Sequence, residues 1–220
     1  VLNELGLALE ANPEYFGSEI CRPGNMVDFL LAHATDNKVG LEHLWKICSI
    51  GLSTIWPKQA NGFLQGDVWQ HSKLRIEGQP GSDIVPFHKL TQWLVYSLVD
   101  ALEVSLGLEV QGVQNLTCLA EYRNGGLLVD SGVISLKDEA WLQQEVNVGT
   151  ELVQEWRALT IVLIDMLAAK LRQRLGVSDS EFPLAKVLEG GTWRAGRVIA
   201  KASRSDGSPP IKIRSDGNVF

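Results

Sequence analysis

Residues 121–136 read EYRNGGLLVDSGVISL: Glu121, Tyr122, Arg123 and Asn124 precede two glycines, and Asp130 then falls among Leu127, Leu128, Val129, Val133 and Ile134. An ionised carboxylate withdrawn from water is costly unless it is paired. Asp130 is therefore expected either to act on a ligand at the end of a pocket walled by Glu121 to Asn124, or to pair with Arg123 or Arg157 and tie elements together. A second polar group is GDVWQH, residues 66–71, which spaces Asp67 and His71 four apart around Trp69. The glycine disfavours the helix that would aim both side chains at one metal ion, and no third ligand follows, so no metal is expected. The group reads either as an acid and an aromatic plate meeting a polar ligand, or as an Asp-capped turn beside a surface histidine. Farther on, His88, Gln92 and Tyr96 recur every fourth residue, so on a helix they form one polar row flanked by Lys89 and Trp93. Finally, EGGTWRAGR, residues 189–197, leads glycines into a helix start at Thr192, followed by Trp193, Arg194 and Arg197. Free backbone N–H groups and guanidinium groups there would suit a phosphate or carboxylate. The alternative is a helix break whose arginines pair with Glu189 or Glu181.

These groups must be held by a framework that is mostly helical. With 45% hydrophobic and 21% charged residues, the 220-residue chain has enough apolar side chains for a substantial core. Helices are expected over 25–34, with Asn25 as cap, and over 40–55, stopped before Pro57. Residues 57–85 are rich in Gly, Pro, Asp and Gln, yet Phe63 and Trp69 argue for order. A long helix is expected from Pro86 to Gly107, with Phe87, Leu90, Leu94, Leu98, Ala101 and Leu102 as its apolar stripe. A second should cover 151–176, apolar nearly all round from Ala158 to Ala169 and basic at its end. A third helical piece follows Pro183, and the tail IKIRSDGNVF suggests a hairpin turning at Asp216-Gly217. The fold class is therefore mainly α: a single helical domain over 1–220 with long central helices and a small β element, the C-terminal hairpin.

Several function classes are disfavoured. A net charge of −6 argues against nucleic-acid and anionic-membrane partners, which are held by excess Lys and Arg. Cys21, Cys48 and Cys118 are too far apart for a disulfide framework or a zinc ribbon and read as thiols in a reducing compartment. No apolar run reaches a membrane span and the start lacks a signal-peptide pattern, so a cytoplasmic protein is expected. Val1 falls inside an amphipathic helical pattern, which suggests the C-terminal part of a longer protein.

Taken in order, GDVWQH, PFHKLTQWL, EYRNGGLLVD, EWRALTIVLID, LEGGTWRAG and SDGNVF make the chain resemble the C-terminal portion of the uracil catabolism protein 4 family over nearly its whole length. The resemblance implies a role in reductase-independent uracil degradation, with cleavage of the N-ribosyl bond of ribosylurea or its phosphate, a small ribosylated substrate, without a cofactor. It transfers no catalytic residues. Such a cleavage passes through an oxocarbenium-like state that needs a carboxylate near the anomeric carbon and polar groups on the ribose. Asp130 is then the candidate to stabilise the cation or activate water, with Glu121 and Asp67 on the hydroxyls, Arg123 and Asn124 on the urea carbonyl, and Trp69 stacking. His71, His88, Lys89, Tyr122 and Trp193 complete the expected binding groups, and Arg197 is the candidate for a 5′-phosphate. Two other classes stay open: a non-catalytic helical interaction protein, which would show an exposed apolar patch, and a ribonucleotide-binding regulator. Oligomeric state is not legible.

Overall fold

The computed structural model describes residues 2–58 and 66–214. In chain order the α-helices are α1 (Leu2–Ala11), α2 (Pro13–Phe16), α3 (Met26–Ala32), α4 (Leu41–Lys46), α5 (Lys89–Leu106), α6 (Tyr122–Asp130), α7 (Glu151–Leu175), α8 (Leu184–Lys186) and α9 (Trp193–Ser203). The strands are β1 (Lys38–Gly40), β2 (Val68–Gln70), β3 (Ile84–Pro86), β4 (Glu109–Gln111), β5 (Glu145–Asn147) and β6 (Lys212–Arg214). They pair two by two, β1 with β4, β2 with β3 and β5 with β6, so the fold is mainly α with a small β element. The C-terminal strand β6 runs parallel to β5, with Glu145 opposite Lys212. Phe63 and the Asp216-Gly217 turn lie outside the described residues.

By its contacts the chain divides into two compact units, Val1–Val68 with Leu90–Leu116 and Trp69–Lys89 with Thr117–Phe220. The first has its own apolar core. Ala8 and Leu9 of α1, Leu30 of α3, Leu44 of α4 and Val95, Val99 and Leu102 of α5 are all buried in it. Parallel β1 and β4 close one side, Lys38 opposite Glu109, with an ammonium–carboxylate distance of 3.0 Å. Asn25 does not cap α3. Its backbone is already helical, and its amide donates instead to the carbonyls of Phe16 (2.7 Å) and Ile20 (2.8 Å), fastening the preceding loop.

The long helix α5 departs from expectation at its start and in its rotation. Pro86 ends β3, and His88 adopts φ 48°, a left-handed conformation that breaks the chain direction, so the helix begins at Lys89. Its buried face is centred on Val95, Val99 and Leu102, while Ala101 is exposed. Residues 94–102 are apolar on more than one side, so the 3.6-residue period fixed the helix and left its rotation to the packing.

The second unit is organised by α6, α7 and α9. Gly125 of α6 allows close approach to α7: a Cβ there would stand 2.7 Å from the Trp156 ring and 2.8 Å from Thr160 Oγ1. Gly196 of α9 does the same against α6, where a Cβ would meet the Arg123 carbonyl oxygen at 2.6 Å. The two small residues thus bring three helices within backbone reach, which larger side chains would forbid. Beneath them Val146, Val148, Val153, Trp156 and Ile211 form a buried cluster, with Trp69 and Tyr122 packed on it. Gly176 in the left-handed region, φ 67°, ends α7.

The expected helix break at Gly190-Gly191 is absent. Val187–Thr192 is a π-helical turn that runs without interruption into α9, and Thr192 is itself helical (φ −67°, ψ −36°) with no capping bond. A π turn accommodates the extra residue by widening the helix, so the glycines leave no free helix start.

Candidate active site at the start of α6

Glu121 precedes α6 with extended backbone (φ −129°, ψ 157°), and its carboxylate accepts the N–H groups of Arg123 and Asn124, each at 2.7 Å. It caps the helix with a negative charge at the positive end of the dipole. The side chain is buried, and burial pushes its pKa above the ordinary carboxylate range. The two backbone N–H groups, the Lys89 ammonium and the Trp193 indole N–H pull the other way without overcoming it. Lys89 is itself only 6% exposed. Glu121, Lys89 and Trp193, chosen separately from the sequence, therefore meet in one place.

Around them lies a shell of further buried polar groups. Asn124 has no exposed surface; its amide donates to Cys118 Sγ at 3.4 Å, and its carbonyl oxygen, like the Thr192 hydroxyl, has no hydrogen-bond partner among the described residues. Arg157 is fully buried, donates from Nε to the Ala120 carbonyl at 3.1 Å, and lays its guanidinium 4.1 Å over the Phe87 ring. Asp165 accepts the Cys118 N–H at 2.9 Å, and partial burial raises its pKa as well. The Cys118 thiol is pushed far up by burial, so it is no nucleophile at neutral pH. Arg157, Phe87 and Asp165 were not singled out for this site from the sequence. The available signal was a charge inside the apolar run EWRALTIVLID, which cannot be satisfied without partners.

Other expected residues lie elsewhere. Asp130 ends α6, and both its oxygens are held by Arg204, Nη1 at 2.8 Å and Nη2 at 2.5 Å. The partner is neither Arg123 nor Arg157: Arg123 stacks 4.8 Å over the Tyr122 ring and reaches the Gly207 carbonyl at 3.4 Å. Arg204 is fixed in turn by donating from Nε to the Ser208 carbonyl at 2.6 Å. Trp69 packs its ring against Gly149 in the second unit's core. His71 is buried, donates its backbone N–H to Asp83 and stands 3.4 Å from Glu155 Oε1. His88 is half-buried in its left-handed turn, and Asp67 is buried in the first unit. Arg194 and Arg197 are exposed on α9, and with no helix start at Thr192 the free N–H donors expected of an anion site there do not exist.

Among the described residues no three His, Cys, Asp or Glu side chains are placed to hold a metal ion, and no helix is long and apolar enough to cross a membrane. A concavity of about 870 Å³ opens in the loop between β2 and β3, lined by Gln70, Ser72, Arg75, Glu77, Gln79 and Asp83 among others. None of the expected site residues lines it.

Mainly helical architecture with a buried acid at a helix start defines a class but not an activity, and the relatives narrow it. The chain belongs to the family described as "Protein of unknown function (DUF1688)", which matches residues 1–220. It is 37% identical over 247 residues to "Uracil catabolism protein 4" of Lachancea kluyveri, covering 100% of this chain and 55% of that protein. It is 40% identical over 204 residues to "Protein urg3" of Schizosaccharomyces pombe, covering 90% of this chain and 49% of that one. The chain thus spans about half the length of these relatives. No solved structure matches.

Proposed function

We propose that the protein acts in uracil catabolism and hydrolyses the N-ribosyl bond of ribosylurea or its phosphate at the start of α6. The pathway rests on the name of the Lachancea kluyveri relative. The observation that carries the reaction is Glu121, a carboxyl group withdrawn from water, fixed by two backbone N–H groups and flanked by Lys89 and Trp193. A carboxylate in such surroundings is little screened, so it stabilises a positive charge developing on the ribose more than a solvated one does. Burial, which raises its pKa above the ordinary carboxylate range, also makes it a better proton carrier than a solvated carboxylate for exchange with the departing urea nitrogen or the attacking water. The role of acting carboxylate passes from Asp130 to Glu121, because the charge of Asp130 is already neutralised by the guanidinium of Arg204, which holds both its oxygens. Lys89, Asn124 and Trp193 are assigned to the polar edges of the substrate.

The test is incubation of full-length protein with ribosylurea and with its 5′-phosphate while urea is measured. Glu121→Gln, which keeps an acceptor for the α6 N–H groups, is expected to lose turnover by about 10²-fold or more, whereas Asp130→Asn keeps it. Absence of urea from both substrates rejects the reaction, and the reverse pattern of variants rejects the assignment.

A further inference from the structure

One face of α7 is apolar and exposed. Leu159, Val162 and Met166 are 47%, 55% and 62% exposed, and Ala158 and Ala169 are exposed beside them. From Leu159 through Val162 and Met166 to Ala169 the spacing alternates three and four residues, which forms a straight seam on one side of a helix, as in paired helices. The flanking charges are arranged by sign: Glu151 and Glu155 lie towards the N-terminal end, Lys170 and Arg174 towards the C-terminal end.

These charges are also arranged by distance. About the point between Val162 and Leu163, Glu155 is the mirror position of Lys170, Glu151 of Arg174, and Leu159 of Met166. We infer that α7 is the surface through which two copies of this chain associate, antiparallel, about a two-fold axis through that point. Each acid of one copy then faces a base of the other, while a parallel pairing would set like charges opposite each other. Glu155 accepts from Lys73 within its own chain at 3.1 Å but keeps 48% of its side chain exposed, and Lys170 is exposed and donates to Gln173. An anionic membrane is a poor occupant, since acids flank half of the seam. A single helical seam is smaller than the roughly 1,600 Å² of a standard interface, so the dimer is a weak one. This surface is independent of the reaction proposed above.

The experiment is sedimentation equilibrium of the full-length protein up to about 100 µM, where a micromolar contact is populated. Wild type is expected to dimerise, and Val162→Asp and Met166→Asp are each expected to weaken association about tenfold or more. Lys170→Glu and Glu155→Lys each place like charges across the axis and weaken self-association. Mixed, they restore dimers, because a heterodimer of the two has one charge pair as in the wild type and the other reversed, so both are matched. Circular dichroism checks that each variant is folded. A monomeric wild type, association indifferent to Val162→Asp, or failure of the mixture to recover overturns the assignment.

Discussion

Removing Arg204 separates the structural role of Asp130 from a catalytic one. The pair consists of two charge-assisted bonds, 2.8 and 2.5 Å, to a carboxylate whose side chain is 5% exposed, while the arginine side chain is 27% exposed. Leaving a buried charge without its partner costs about 3–5 kcal/mol when both groups are sealed from water. Because the guanidinium is partly hydrated here, Arg204→Leu is expected to cost about 2–3 kcal/mol. Asp130→Asn keeps one acceptor and is expected to cost about 1–2 kcal/mol. The double variant should be less destabilised than the sum, with a coupling of about 1–2 kcal/mol. The pair joins the end of α6 to the residue following α9, so the loss is local to those helices. Hydrogen exchange of amides in 122–130 and 193–203 reads it directly, and urea unfolding gives the free energies. Additivity within about 0.3–0.5 kcal/mol would show that the two groups act independently and refute the reasoning. So would an Asp130→Asn protein that loses turnover while both helices keep wild-type protection.

Three further outcomes follow from the same geometry. Burial raises Glu121 above the ordinary carboxylate range, so the folded state holds its proton more tightly than the unfolded chain. Its contribution to stability is therefore full below that range and declines as pH rises through the raised value. The stability of wild type relative to Glu121→Gln should accordingly fall as pH rises above the ordinary carboxylate range, measured as urea midpoints, and a flat difference would contradict it. Gly196→Ala should lose about 1–3 kcal/mol, since the added methyl meets a backbone carbonyl that cannot turn away. Gly190→Ala, with open space around it, should be neutral or stabilise by up to about 1 kcal/mol on the same denaturation curves. Alkylation of the native protein should modify Cys21 alone, because Cys48 and Cys118 are buried, with the Cys48 thiol pushed up to about 12. Early labelling of either would show that its core opens readily.

What the sequence determined by itself was the set of elements and the residues worth suspecting. The helix over 151–175 and its glycine stop were legible because apolar period, acidic start, basic end and Gly176 agree, and each of these is a local property. Glu121, Lys89 and Trp193 could be selected one at a time, since each is a polar or amphipathic group beside apolar neighbours. That they meet was decided by packing: Gly125 and Gly196 let α6 approach α7 and α9, and close approach is a property of pairs of helices that no single segment encodes. The partner of Asp130 was likewise open to choice among several arginines, because an ion pair between residues 130 and 204 leaves no spacing rule in the sequence. The expected anion site failed for a related reason. Two glycines before a threonine are compatible with a helix start and also with a π turn, and the backbone hydrogen bonds that distinguish them depend on the helix being held on both sides of Val187–Thr192.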